Sequence, residues 1–156
     1  MISATHLHAM IIHFPIALLM AGFLSEVIAL FIKKEFFSQA AFYLLILGAL
    51  GATAAYFTGG YAGEGIEEGP LKIPMELHEQ AATFTLIFAI ITGLFRIVIY
   101  YYRYNRNWAK WLGILLFTVL VGLVARTGYL GGQLVYSHGA GVELALPDFN
   151  NPDGED

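Results

Sequence analysis

Four long apolar runs govern what this chain can become. They cover residues 9–32, 36–58, 78–102 and 108–130. Each matches or exceeds the ~20 residues with which an α-helix crosses ~30 Å of hydrocarbon. Strands that cross a membrane are about half as long and alternate strictly in polarity, which these runs do not. In lipid every backbone N–H and C=O needs a partner, so the runs predict four helices. Hydrophobic residues fill 58% and charged residues 13% of the 156 positions, which leaves no separate soluble domain. The expected fold is all-α and integral to the membrane. It is a four-transmembrane-helix bundle over residues 1–142, followed by an acidic tail over 143–156. The first run has no basic leader and no small-residue cleavage site after it, and is read as a retained helix.

Lys and Arg set the orientation. Lys33 and Lys34 fall between runs one and two, and Arg103, Arg106 and Lys110 between runs three and four. The positive-inside rule puts both loops in the cytoplasm and both termini outside, as in a bacterial inner membrane. The inner half then holds six basic residues and two acids, and the outer half two basic residues and ten acids. Glu26 and Arg96 are both predicted near ~27 Å from the outer ends of their helices, where each ion gains from the other. The tyrosine-rich stretch 100–108 reads as an interfacial belt. Residues 59–77, with their glycines and two prolines, are expected to form an ordered, turning outer loop. Small residues Gly48, Ala52, Ala55 and Gly59 recur at helical spacing and suit close helix packing.

Every histidine sorts to the outer side: His6, His8, His13, His78 and His138. A buried neutral imidazole in lipid needs a hydrogen bond or a metal. Five in one layer favour a metal or haem over five separate hydrogen bonds. His13 lies in the motif H-A-M-I-I-H-F-P of the first helix, with Pro15 expected to widen its turn. His78 heads a stripe of small residues, Ala81, Ala82, Thr85 and Ala89, which suits a porphyrin face or a closely packed neighbour. Arg126 is placed ~25 Å from the cytoplasmic end of the fourth helix, close to the depth of His13, and needs an anionic partner. Gly131 and Gly132 are expected to loosen or end that helix before His138. Cysteine is absent, so thiolate sites, Fe–S clusters and disulfides are excluded.

Two segments, L-H-A-M-I-I-H-F-P-I-A in the first helix and T-G-Y-L-G-G-Q-L-V-Y-S-H-G-A-G-V at the end of the fourth, carry a resemblance. The chain resembles the bacterial membrane proteins grouped as domain of unknown function 2231, over nearly its whole length. His8, His13, His78 and His138 fall where that pattern tends to carry histidine. The pattern favours His-Pro where this chain has His8-Ala9, and His6 is additional. Members are often joined to, or encoded near, c-type cytochromes and other redox modules, so the resemblance implies electron transfer. It brings no established reaction.

Three functional classes follow. The first, which the resemblance favours, is a b-type cytochrome or cytochrome subunit, an electron carrier rather than a stand-alone enzyme. One haem b, or two, is bound near the periplasmic face. His13 and His78 are the expected axial pair, or His138 in place of His78; His8 and His138 are the pair for a second haem, and Arg126 holds a propionate. The second class is a copper or zinc protein, for which His6 and His8 form a short H-x-H. The third is a structural or assembly subunit of a respiratory complex. The expected partners are the lipid bilayer and a basic periplasmic c-type cytochrome or other redox subunits, drawn by the acidic outer face. Nothing points to nucleic acid.

Overall fold

The computed structural model describes residues 3–64 and 68–142. Four helices follow one another: α1 (Ala4–Phe31), α2 (Glu35–Gly63), α3 (Lys72–Tyr101) and α4 (Asn107–Tyr136). Each is long and apolar enough to cross a membrane. The shortest, with 28 residues, runs ~42 Å, so every helix overhangs a ~30 Å hydrocarbon layer. No strand occurs among the described residues. The acidic tail expected at 143–156 lies outside them.

The helices run up and down. α1 and α2 pack closely, as do α3 and α4; α2 meets α3, and the seam between α1 and α4 is the thinnest. α1 and α3 make no close backbone approach among the described residues, so they face each other across the diagonal of the bundle. Short connections put the starts of α1 and α3 and the ends of α2 and α4 at one end, with the histidines. Lys33, Lys34, Arg103 and Arg106 mark the other, basic end.

Small residues explain the tight α1–α2 hairpin. A Cβ at Gly48 would lie 2.6 Å from Leu19 Cγ, and one at Gly51 would lie 3.3 Å from the ring of Pro15. Between helices lipid supplies no hydrophobic drive, so close van der Waals approach does the work. The dry centre of the bundle is built from Leu19, Leu45, Ala89, Phe117 and Leu120, all fully buried. Phe23 meets Phe117 edge to face at 5.6 Å.

Three sequence expectations change at the helix ends. α1 begins at Ala4, about a turn before its apolar run, because Ser3 caps it: the Ser3 hydroxyl accepts the His6 N–H at 3.3 Å. The loop expected over 59–77 shrinks, since α2 continues to Gly63 and α3 starts at Lys72. Pro74 is the third residue of α3, where its missing N–H would have had no helical acceptor. Nor do Gly131 and Gly132 end α4, which continues to Tyr136. Packing holds that last turn, and at Gly131 the space is taken by an imidazole. Gly139 and Gly141 take positive φ, 66° and 73°, in the turn that follows, a conformation open to glycine.

At the basic end Arg96 of α3 forms an ion pair with Glu26 of α1. Glu26 is 6% exposed, and its pairing with Arg96 is the one expected from matched depth. The Arg96 guanidinium lies over Gly113 of α4, where a Cβ would stand 3.4 Å from Cζ.

Candidate functional site at the histidine end

The stripe His78, Ala81, Thr85, Ala89 faces inward, with Ala81, Thr85 and Ala89 buried. α4 covers it. The Thr85 and Thr127 hydroxyls are 2.8 Å apart, and each also lies 2.9 Å from the carbonyl one turn back in its own helix, which can take the proton not shared between them. The His78 imidazole presses on Gly131, where a Cβ would lie 3.1 Å from its Cε1. Across the diagonal, His8 of α1 presses on Gly59 of α2, where a Cβ would lie 2.9 Å from Cε1. His8 and His78 lie at the same end of the bundle, each 18 residues before a partner of the Glu26–Arg96 ion pair. Two glycines thus form matching cradles for two half-buried histidines.

Hydrogen bonding fixes the tautomers. His78 Nδ1 is 3.2 Å from the carbonyl of Thr127. A carbonyl only accepts, so Nδ1 carries the proton and Nε2 keeps its lone pair. His8 Nδ1 is 3.2 Å from the Thr58 hydroxyl, and that hydroxyl is already donating to Ala54 or Ala55, at 3.0 and 3.1 Å. It therefore accepts from His8, whose Nε2 is likewise basic. Anchoring one ring nitrogen on an oxygen orients the ring and leaves the other as a ligand. The sequence reading missed Thr58 and Thr127, though each lies within four residues of its glycine cradle in the chain.

The other expected site residues lie elsewhere. His13 is exposed on the outer flank of α1, and its Nδ1 donates to the Ala9 carbonyl at 2.6 Å. Matched depth pairs His13 with His78, but His13 is turned to the outer flank, and the two half-buried histidines are His8 and His78. Five residues turn a helix by ~500°, so His8 and His13 point ~140° apart. His6 is exposed at the start of α1, with Nδ1 3.0 Å from Ser3 Oγ. His138 is exposed in the turn after α4, away from the interior where His8 sits. Arg126 is exposed on α4 and makes no ion pair among the described residues. No three His, Cys, Asp or Glu side chains converge among the described residues.

Neither the curated proteins nor the solved structures contain a match to the chain. A family model does match, over residues 4–144, and its description is a predicted membrane protein, DUF2231. That span takes in all four helices, both glycine cradles and all five histidines, and the chain belongs to this family of membrane proteins.

Proposed function

We propose that the protein is a membrane-embedded electron carrier, or the electron-carrying subunit of a respiratory complex, that binds b-type haem between His8 and His78. The observation that carries this reading is the pair of inward imidazoles, each anchored through Nδ1 with Nε2 free. The donor count favours haem over a zinc or copper(II) ion. Such an ion asks three or four ligands of the protein, and no such group converges among the described residues. A haem brings four nitrogens of its own and asks for two axial imidazoles. The donor set therefore fits, and Gly59 and Gly131 keep both rings clear of side-chain crowding.

His8 and His78 would hold the haem, which would supply one-electron chemistry there and so suit electron transfer. The chain's own part is to orient two neutral imidazoles and exclude water below them. The Thr58 hydroxyl and the Thr127 carbonyl hold the ring protons on Nδ1 and raise the basicity of Nε2. Positive-inside charge would put this end of the bundle at the periplasmic face of a bacterial inner membrane. The acids gathered at the same end would draw a basic c-type cytochrome. His138, His13 and Arg126 are left to a second haem or to surface roles.

The test is the reduced-minus-oxidised absorption spectrum of the purified protein. A sharp Soret and α band is expected, lost in His8→Ala and in His78→Ala and kept in His13→Ala. A wild-type protein without such bands after expression with ample haem refutes the reading. Bands that survive both inner substitutions refute the assignment of the pair.

A further inference from the structure

Arg126 is a cation that the bundle itself does not use. It is exposed on α4 and makes no ion pair among the described residues. Its depth makes that costly. With exposed Trp111 at the basic-end boundary, a ~30 Å hydrocarbon layer ends ~20 residues further on, near Gly131. Arg126 then lies ~8 Å inside the layer, close enough to the headgroups for its long side chain to reach them. Further out on the same helix, Gln133 Nε2 donates to the Tyr129 hydroxyl at 3.0 Å. That hydroxyl accepts the bond, so its own proton remains for another acceptor.

The surface changes on the membrane-centre side of Arg126. Thr118, Gly122, Ala125, Arg126 and Tyr129 are all exposed and lie within ~60° of Gly122 around the helix. A Cβ at Gly122 would meet nothing within 4 Å, whereas Gly113 and Gly131 of the same helix make room for Arg96 and His78. Glycine weakens a helix interior, and packing within the chain gives no reason for it at 122. Thr118, Gly122 and Ala125 leave a furrow that runs ~10 Å toward the membrane centre. Leu115, 58% exposed, and Tyr129, 66% exposed, close its two ends.

We propose that this face of α4 binds one anionic phospholipid from the leaflet at the histidine end. Its phosphate meets Arg126 and Tyr129, and one acyl chain lies along Ala125, Gly122 and Thr118. The order of groups along the helix matches the order along the lipid: cation and hydroxyl toward the headgroups, furrow toward the centre. A guanidinium gives charge-assisted hydrogen bonds to phosphate oxygens. A net negative lipid such as phosphatidylglycerol is favoured over a zwitterionic one, whose own ammonium offsets the phosphate charge. The site involves neither His8 nor His78 and needs no haem.

Other occupants fit this face less well. A second copy packed on it about a two-fold axis along the membrane normal would set Arg126 at the same depth as its own counterpart, and like charges repel. A partner helix would have to carry a carboxylate out of water to that depth. Lipid phosphate already lies at the boundary that the arginine reaches.

The chain has no cysteine, so Val119→Cys, at the exposed edge of the furrow, takes a single fluorophore. The labelled full-length protein is placed in phosphatidylcholine nanodiscs that contain a minor fraction of either phosphatidylglycerol or phosphatidylcholine with brominated chains. Bromine quenches only at contact, so lipids gathered at the basic end do not register. Brominated phosphatidylglycerol is expected to occupy the site roughly fivefold more favourably than brominated phosphatidylcholine, the preference one cation confers near anionic lipid. Arg126→Gln should bring the two lipids level. Gly122→Leu should lower quenching by both, because it fills the furrow. Both positions are exposed, so both variants keep the fold, which an unchanged melting temperature verifies. Equal quenching by the two lipids before either substitution overturns the proposal. So does a preference that survives Arg126→Gln, or quenching that Gly122→Leu leaves unchanged. Self-quenching between labelled copies would put a second copy on this face. Absence of quenching by both lipids would mean that other protein covers it, and displacement of the lipid by inorganic phosphate would make it a free-anion site. Each of these results also overturns the proposal.

Discussion

The ion pair between Glu26 and Arg96 offers the sharpest energetic test of the bundle. It joins α1 to α3 across the diagonal, where the backbones make no close approach. Glu26 is buried, and the Arg96 side chain is 17% exposed and lies over Gly113. Replacing Glu26 by Gln keeps the shape and one acceptor but leaves a guanidinium without its counter-charge. Breaking one side of a buried pair costs about 3–5 kcal/mol, and the retained amide oxygen puts Glu26→Gln near the lower figure. For a chain of this size about 3 kcal/mol lowers a melting temperature by roughly 6–12 °C. Replacing both ions, Glu26→Leu with Arg96→Met, removes the charges together. That variant should melt within a few degrees of wild type or above it, since well-packed apolar pairs often match buried ion pairs. Thermal unfolding in detergent, followed by circular dichroism, compares wild type with Glu26→Gln, with the singles Glu26→Leu and Arg96→Met, and with their double. Single variants that melt like wild type would refute the reasoning, and so would a double variant as unstable as the sum of the singles.

Four further outcomes are expected. Gly131→Ala puts a Cβ 3.1 Å from the His78 ring, so it should displace the imidazole and shift or weaken the haem bands, whereas Gly132→Ala, with open space around it, should not. Thr92 is fully buried, and its hydroxyl has no hydrogen-bond partner among the described residues, so Thr92→Val should be neutral or stabilising by about 1 kcal/mol in the same thermal assay. Binding of a basic c-type cytochrome should weaken steeply with added salt and on removal of residues 148–156; binding indifferent to both would dismiss electrostatic docking. Reporter fusions at the carboxyl end should be active only in the periplasm, and cytoplasmic activity would reverse the orientation read from Lys and Arg.

Hydropathy alone made the four helices legible, because a run of twenty-odd apolar residues has few other uses. Helix ends were less so. Ser3 extends α1 by a cap that hydropathy does not register, and Gly131 reads as a helix breaker until its neighbour is known. At the site, depth was readable and direction was not used. Matching Glu26 to Arg96 by depth succeeded because both also face inward. Matching His13 to His78 by depth took no account of direction, and the structure turns His13 to the outer flank. The oxygen partners Thr58 and Thr127 come from α2 and α4, and no pattern within α1 or α3 announces them.

The two ends of the bundle are related by a simple offset. Glu26 follows His8 by 18 residues, and Arg96 follows His78 by 18. Eighteen residues make five full turns, so each pair lies on one stripe of its helix, ~27 Å apart. If α1 and α3 face each other so that Glu26 meets Arg96, the same rotation must bring His8 toward His78 at the far end. The ion pair and the inward placing of both imidazoles are thus one geometric fact, set by how α1 and α3 are rotated about their axes. Between them lies the dry layer of Leu19, Leu45, Phe117 and Leu120, which carries no histidine. An electron accepted at the histidine end would therefore have to leave by that end, to a partner docked on it. The same coupling makes a structural demand: variants that break Glu26–Arg96 free α1 to turn, and a rotation of one residue position, ~100°, would swing His8 out of reach of His78. Glu26→Gln should accordingly disturb the haem spectrum from five turns away, and the double apolar variant, which restores packing, should restore it. An unperturbed spectrum in a destabilised Glu26→Gln protein would show that the two ends are held independently.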